Sequence, residues 1–528
     1  MEFIEKSCCV VTVSEAFSAK RRVSCSGVVL DSRTGTVICN ALPFSRFITD
    51  KESMSADPRV LLPHSFSEKL NIGVGFSEQR SVDTNQCAYE TCTVSKSVRT
   101  LQHEATAELL MLVNCVEFRE AFLAVFQEAD KWRFHGDEED EELTRDSQFL
   151  GWFALLKADF ADTSPGSGAI PWHGSSHLQK GWQVVACGSP FGALCPDLFI
   201  STLSKGIISN LAGQGNAVIL TDARCLPGTE GGGLFLPKGN RAYLVGLIVS
   251  PLCWKANEWI GLTLVCSVQL IFRNIICCMN VQDPQRDIYL HEGEPGLQLS
   301  STAHLSKAAK YPTVCLIDSG QFWGSGVLVS PQLALTCRHV VNGKPFVTLR
   351  FCHRNGFHET VGDVLFSTKA SSPYDLAVVQ LRGSTPEVVV PELAKSFQPG
   401  EDVVVVGYGG LGRRCGPSLT CGVLSKAISW KDQPVMLQTT CAVQAGASGG
   451  AVVQAQSGKL LGIVSSNTRD FAAKVTYPHL NFSVPVTVFQ PLLRSFDQTG
   501  DAEVFRALDA TEEGVRRVWR LQGAQSKL

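Results

Sequence analysis

The chain carries the same ordered set of short segments twice. Ser26-Gly27-Val28-Val29-Leu30 followed by Val37-Ile38-Cys39 returns as Ser325-Gly326-Val327-Leu328-Val329 followed by Leu335-Thr336-Cys337. Val184-Val185-Ala186-Cys187-Gly188 returns as Val403-Val404-Val405-Val406-Gly407. Leu226-Pro227-Gly228-Thr229-Glu230-Gly231-Gly232 returns as Gln444-Ala445-Gly446-Ala447-Ser448-Gly449-Gly450, and Val245-Gly246-Leu247-Ile248-Val249-Ser250 as Leu461-Gly462-Ile463-Val464-Ser465. One echo would be noise; four in register imply two copies of one domain. The 528 residues accommodate two domains of roughly 250 residues each. Short β-type runs bounded by Gly, Pro, Asn and Ser fill both copies and predict barrels or sandwiches. Long helical periodicity is scarce; the main candidate is the tail, Asp501 to about Gln522, where Val504, Phe505, Leu508, Val515, Val518 and Trp519 approximate one apolar stripe.

Composition narrows the function classes. A hydrophobic content of 44% with 18% charged residues supplies a sizeable core and excludes a wholly disordered chain. A net charge of -3 argues against nucleic acid as the partner. The most apolar stretch, Trp259 to Ile276, is broken by Ser267, Gln269, Arg273 and Asn274, so no membrane span is expected. The start, Met-Glu-Phe-Ile-Glu-Lys, lacks the basic and apolar regions of a secretory signal. The 20 cysteines include no Cys-x-x-Cys pair and are expected to be reduced and mostly buried. The chain closes on Ser526-Lys527-Leu528, an address read by the peroxisomal import receptor, which predicts the peroxisome matrix. The acidic run at 137–142 reads as a solvated loop.

Three segments of the second copy carry chemistry. Thr336-Cys337-Arg338-His339-Val340-Val341 sets a histidine just past an apolar strand, and Asp375 heads the strand segment Leu376-Ala377-Val378-Val379. Gly446-Ala447-Ser448-Gly449-Gly450 sets a serine in a glycine-flanked turn. A serine hydroxyl is a poor nucleophile at neutral pH unless an imidazole takes its proton during attack. A carboxylate on the far ring nitrogen fixes the tautomer and stabilises the imidazolium. His339 as base then acid, Asp375 as its orienting group and Ser448 as nucleophile fit those needs. The backbone N–H groups of Gly446 and Ser448 are the candidate oxyanion hole. Gly446 to Gly450 also fits the nucleophile elbow of α/β-hydrolases. That fold needs a helix after the serine, whereas Ala451-Val452-Val453 reads as a strand. Gly407-x-Gly409-x-x-Gly412 formally fits a dinucleotide fingerprint, but Arg413-Arg414-Cys415-Gly416-Pro417 is a poor helix start.

Residues 311 to 490 resemble the trypsin-like serine peptidases, particularly the HtrA-like branch. The resemblance rests on Gly324-Ser325-Gly326, the His339, Asp375 and Ser448 segments, Gln438-Thr439-Thr440 and Gly462-Ile463-Val464-Ser465. It implies an all-β fold of two trypsin-like double β-barrel modules in tandem, the amino-terminal one degenerate, with a short carboxy-terminal helix. It implies that Ala442 helps form the floor of the primary specificity pocket. It also implies that Ser465, Ser466 and Asn467 pair with substrate backbone as an added strand. Without an acidic floor residue, the side chain before the cut should be small or moderately apolar; the resemblance implies a cysteine there in many leader peptides. It further implies removal of amino-terminal leaders from imported matrix precursors, processing of β-oxidation enzymes, and self-cleavage, for which Cys115 is one candidate position. A second copy of the chain is a candidate partner. The mechanism requires no metal or organic cofactor.

The first copy keeps scaffolding of the same kind, including Gly188-Ser189-Pro190-Phe191-Gly192 and Gly206-Ile207-Ile208-Ser209. Its active positions differ. Ala41, or Leu42 if a gap moves, stands opposite His339; Trp152 or its neighbourhood stands opposite Asp375; Glu230 stands opposite Ser448. The division expected is a degenerate domain at 1–281, a polar linker at 282–310, a catalytic domain at 311–498, a helical tail at 499–525 and the targeting signal at 526–528. A serine endopeptidase is the leading reading. Its rivals are a general quality-control protease, an inactive scaffold, and a carboxylate-based hydrolase centred on Glu230.

Overall fold

The unbroken apolar runs have a simple cause. In the strand Asp402–Gly407, Val403 and Val405 enter one apolar core while Val404 and Val406 enter another. Successive strand side chains point to opposite faces, so a strand covered on both faces needs apolar residues without alternation. The strand Gln183–Gly188 repeats the arrangement: Val184 and Ala186 face one core, Val185 and Cys187 another.

The computed structural model describes residues 1–15, 18–49, 59–78, 101–127, 132–133, 149–160, 168–192, 196–251, 254–255, 258–282, 311–353, 356–383, 388–411, 414–470, 475–509 and 512–520. The acidic run at 137–142, all but the first residue of the expected linker 282–310, and Ser526, Lys527 and Leu528 lie outside them.

Each copy is a pair of antiparallel barrels. In the first, the strands Cys8–Glu15, Ser18–Asp31, Thr36–Asn40, Trp152–Ala158, Leu101–Asn114 and Leu70–Glu78 pair in a ring, with Val60–Leu61 attached outside. The second barrel closes through Thr202–Ala212, Val218–Thr221, Thr263–Ser267, Arg241–Ser250, Gly233–Lys238 and Gln183–Gly188. The third closes through Val314–Asp318, Trp323–Ser330, Leu333–Thr336, Ala377–Leu381, Gly356–Ser367 and Phe346–His353. The fourth closes through Asp402–Gly407, Ser418–Trp430, Gln433–Thr439, Val475–Pro485, Leu460–Asp470 and Ala451–Gln454. Closure removes the edge strands that would otherwise template aggregation.

Helices fall differently from the sequence expectation. The apolar stripe from Asp501 to about Gln522 is not one helix: Ala502–Leu508 forms a 3-10 turn and Glu513–Trp519 a short α-helix. A longer helix, Val486–Thr499, precedes it, and ends where Gly500 takes φ 68° and donates its N–H to Phe496 O. The apolar stretch Trp259 to Ile276 divides into the barrel strand Thr263–Ser267 and the helix Val268–Gln282. Among the described residues, no helix is long and apolar enough to cross a membrane.

The two copies interlock. Leu411 of the second packs into the core of the first, and Ile207 of the first into a core of the second. Lys180 Nζ donates to Cys415 O at 3.2 Å and Pro417 O at 2.8 Å, and Asn210 Nδ2 to Ser418 Oγ at 2.8 Å. The Asp222 carboxylate accepts from Ile207 N at 2.7 Å in its own copy and from Cys421 N at 2.6 Å in the other.

Candidate active site

The third barrel brings two of the three predicted side chains, His339 and Asp375, into direct contact. His339 sits on the turn Arg338–Val341, directly after the strand Leu333–Thr336. Asp375 precedes the neighbouring strand Ala377–Leu381, whose register sets Ala377 opposite Thr336. The Asp375 carboxylate accepts from His339 N at 3.1 Å through Oδ1 and pairs with His339 Nδ1 at 2.6 Å through Oδ2. Arg338 Nε lies 3.7 Å from Oδ1. Asp375 is 2% exposed and the His339 side chain 33%, so the ring reaches solvent while its partner does not. Burial acts to raise the Asp375 pKa; the hydrogen bond and charge of His339, with the Arg338 guanidinium, outweigh it and hold the carboxyl below its ordinary value.

Ser448 occupies a glycine-flanked turn just before the strand Ala451–Gln454. Gly449 N donates to Val464 O at 2.8 Å, and the Cys337 thiol reaches the same carbonyl at 3.2 Å, which ties the serine turn to the histidine turn. Ser325 braces both from below. Its N–H donates to Ser448 O at 2.8 Å, its Oγ donates to Gly446 O at 2.8 Å, and its carbonyl accepts from Thr336 Oγ1 at 2.6 Å. Ser448 Oγ donates to Ser465 O at 3.4 Å rather than to His339. Nucleophile–base bonds of this kind are often long without substrate and tighten in the Michaelis complex. The N–H groups of Gly446 and Ser448 have no acceptor among the described residues. Gly446 has φ 92°, and a Cβ there would lie 2.4 Å from the Trp323 ring, so the turn requires glycine.

The predicted pocket residues lie beside this turn. Ala442 is buried and its carbonyl accepts from Thr420 Oγ1 at 2.8 Å. Ser465, Ser466 and Asn467 continue the strand Leu460–Asp470 beyond Ile463, where its pairing with Ala451–Gln454 ends. Among the described strands they pair on one side only, with Val475–Pro485. Cys337, His339 and Asp375 offer metal-ligating atoms within 4.8 Å of one another. Those atoms are already paired with one another or with Val464 O, and a cation would have to displace the proton joining His339 to Asp375. Cys115 is buried, and its N–H donates to Gly151 O.

The trypsin-like peptidase domain family matches residues 324–463. A human peroxisomal leader peptide-processing protease is 41% identical over 99% of this chain and 97% of its own. The chain belongs to the peroxisomal leader peptide-processing protease family. The mouse member of that family is 39% identical over 100% of this chain and 98% of its own. A solved serine endoprotease from Yersinia pestis is 24% identical, covering 37% of this chain and 65% of its own, at a TM-score of 0.29.

In this family member the first copy repeats three bonds of the framework. Ser26 N donates to Glu230 O at 2.8 Å, as Ser325 N does to Ser448 O. Ser26 Oγ donates to Gly228 O, as Ser325 Oγ does to Gly446 O. Gly231 N donates to Ile248 O, as Gly449 N does to Val464 O. Glu230 therefore stands where Ser448 stands. Strand registers pair Val28 with Ile38 and Val327 with Leu335, which puts Leu42, one position past Ala41, opposite His339. The pairing of Cys39 with Ala154 and Thr336 with Ala377 puts Trp152 opposite Asp375. Glu230 Oε2 accepts from Gly228 N at 2.7 Å, so the N–H equivalent to that of Gly446 is spent on the copy's own side chain. Burial raises the Glu230 pKa against that bond. Glu230→Ser is expected to create no second reactive serine, because Leu42 offers no base. Active-site labelling of that variant checks this, and a second labelled site would refute it.

Sequence reasoning did not single out the braces. Ser372 Oγ donates to Leu508 O at 3.1 Å, Lys369 N to Asp509 Oδ1 at 2.8 Å, and Tyr374 packs edge-on to Trp519 with ring centroids 6.0 Å apart. The carboxy-terminal turns thus hold the loop that presents Asp375. The apolar stripe of the tail was the one signal available.

Proposed function

We propose that this chain is a peroxisomal serine endopeptidase that removes amino-terminal leaders from matrix precursors, processes β-oxidation enzymes and cleaves itself. The observation that carries the reading is the buried Asp375 carboxylate held 2.6 Å from His339 Nδ1, beside a serine turn with two unspent N–H donors. Ser448 Oγ attacks the carbonyl carbon of the scissile bond while His339 Nε2 takes its proton. The carbonyl oxygen becomes an anion facing the N–H groups of Gly446 and Ser448. Collapse expels the new amine, protonated by His339, and leaves an ester on Ser448. Water repeats the sequence, with His339 again as base, and releases the acid. Asp375 remains a carboxylate throughout. Ser465, Ser466 and Asn467 offer an open strand edge to the substrate backbone. Delivery rests on Ser526, Lys527 and Leu528 binding the import receptor.

A fluorophosphonate probe followed by peptide mapping tests the chemistry, and the adduct is expected on Ser448. Incubation with a leader-bearing precursor and with unfolded casein tests the substrate class. One cut near the precursor's leader, with casein intact, is expected. Indiscriminate casein degradation would indicate a quality-control protease, and an unlabelled protein would indicate a scaffold.

A further inference from the structure

The first copy reaches the specificity pocket of the second. After the short strand Glu258–Trp259, the chain passes Ile260 and Gly261 before entering the barrel strand Thr263–Ser267. Gln444 Nε2, in the segment leading to Ser448, donates to Ile260 O at 2.7 Å. A Cβ built on Gly261, which has φ 70°, would lie 3.3 Å from Ala442 Cβ and 3.4 Å from His479 Nε2. The Trp259 ring meets the His479 ring edge-on with centroids 5.7 Å apart. His479 is fixed by Nδ1 against Thr440 O at 3.1 Å, and Asn467 by Nδ2 donating to Val443 O at 3.3 Å. These residues of the second copy flank Ala442, the floor position of the pocket.

A second observation points to a ligand. Buried polar atoms in this neighbourhood have no hydrogen-bond partner among the described residues: Ser465 Oγ, Asn467 Oδ1, His479 Nε2 and, from the first copy, Trp259 Nε1. Ser465 is 2% exposed and Asn467 4%. Unpaired buried polar groups are costly and uncommon in folded proteins. Their gathering beside one wall of the candidate site suits a partner that arrives with the substrate.

We infer that Trp259, with Ile260 and Gly261, closes the primary specificity pocket, so that the degenerate copy sets which side chain the active copy accepts before the cut. This deepens the proposed function and rests on it. The pocket belongs to neither copy alone: Ala442, Asn467 and His479 come from one, the closing segment from the other. A pocket closed in this way would favour an extended peptide with a short side chain before the cut. Trp259 is a specificity-determining residue rather than a catalytic one, because it touches the pocket wall and not the reacting atoms.

The test uses the full chain and three peptides differing only in the residue before the scissile bond: alanine, valine or leucine. Trp259→Ala is expected to raise the leucine-to-alanine ratio of kcat/KM by about tenfold, the scale on which pocket volume discriminates side chains. Trp259→Phe, which keeps a ring, should shift the ratio less and in the same direction. Fluorophosphonate labelling of Ser448 should persist in both, as the check that the nucleophile is still active. An unchanged ratio in a folded variant that labels normally would overturn the inference while leaving the endopeptidase reading intact. Should Trp259→Ala lose its unfolding transition, Trp259→Phe decides by the same ratio. Absence of labelling and hydrolysis in the wild type would sink the endopeptidase reading, and this inference with it.

Discussion

Ser448→Ala is expected to lower kcat on a leader-bearing precursor by about a millionfold, and His339→Ala by a similar factor, with the double variant no worse than either. The equality follows from the geometry. The hydroxyl is useless without a base, and the base is useless without the hydroxyl it serves, so removing either removes the same step. Asp375→Asn should cost less, about ten-thousandfold, while preserving the fold. An amide nitrogen would replace one of two oxygens that both accept: Oδ1 from His339 N at 3.1 Å and Oδ2 from Nδ1 at 2.6 Å. Either amide orientation sets a donor against a donor or holds the ring in the wrong tautomer. Quantitative mass spectrometry of the cleaved precursor checks the series. If Ser448→Ala retained activity within about tenfold of wild type, the nucleophile would be elsewhere and the covalent step proposed for this chain would fall.

What the sequence made legible was the part governed by local rules. Val403 to Val406 and Val184 to Cys187 read as buried strands because both faces are covered, and that pattern survives without knowledge of the partners. The glycines at 446 and 449 marked a turn that only glycine can make, since a Cβ on Gly449 would lie 2.0 Å from Ser325 O. Long-range pairings left no such mark. The helix Val486–Thr499 begins with β-branched Val486, Thr487 and Val488 and contains Pro491, all weak helix signals. Tertiary burial of Val486, Phe489 and Leu493 outweighs that propensity. Trp259 read as one residue of an apolar stretch, because its partner His479 is 220 positions away. The stripe in the tail was visible, but its break at Asp509 into a 3-10 turn and a short helix was not, since the Lys369 N–H that fixes Asp509 belongs to another barrel.

Asp222→Ala is expected to destabilise the junction between the two copies by about 2–6 kcal/mol, because it strips the acceptor from two buried N–H donors at about 1–3 kcal/mol each. Ile207 N at 2.7 Å lies within the first copy and Cys421 N at 2.6 Å within the second, so one carboxylate spans the seam. The position equivalent to Asp222 in the second copy is Thr440, whose Oγ1 accepts from Val423 N alone at 2.9 Å. The extra oxygen of the aspartate is what reaches across. Asp222→Asn keeps one acceptor and turns an NH2 toward the other donor, so its loss should fall between wild type and alanine. Burial raises the Asp222 pKa above its ordinary 3.8, against the lowering effect of the two N–H donors. With the folded pKa above the unfolded one, the folded state binds the proton more tightly. The stabilising difference between wild type and Asp222→Ala should therefore be largest below pH 3.8, shrink as pH rises through the folded pKa, and then level off. Urea unfolding followed by tryptophan fluorescence at several pH values reads both effects. Separation of one transition into two in Asp222→Ala would locate the loss at the seam. An alanine variant as stable as wild type at every pH would mean that the two N–H groups find other acceptors and that the remaining apolar and polar contacts suffice to hold the copies together.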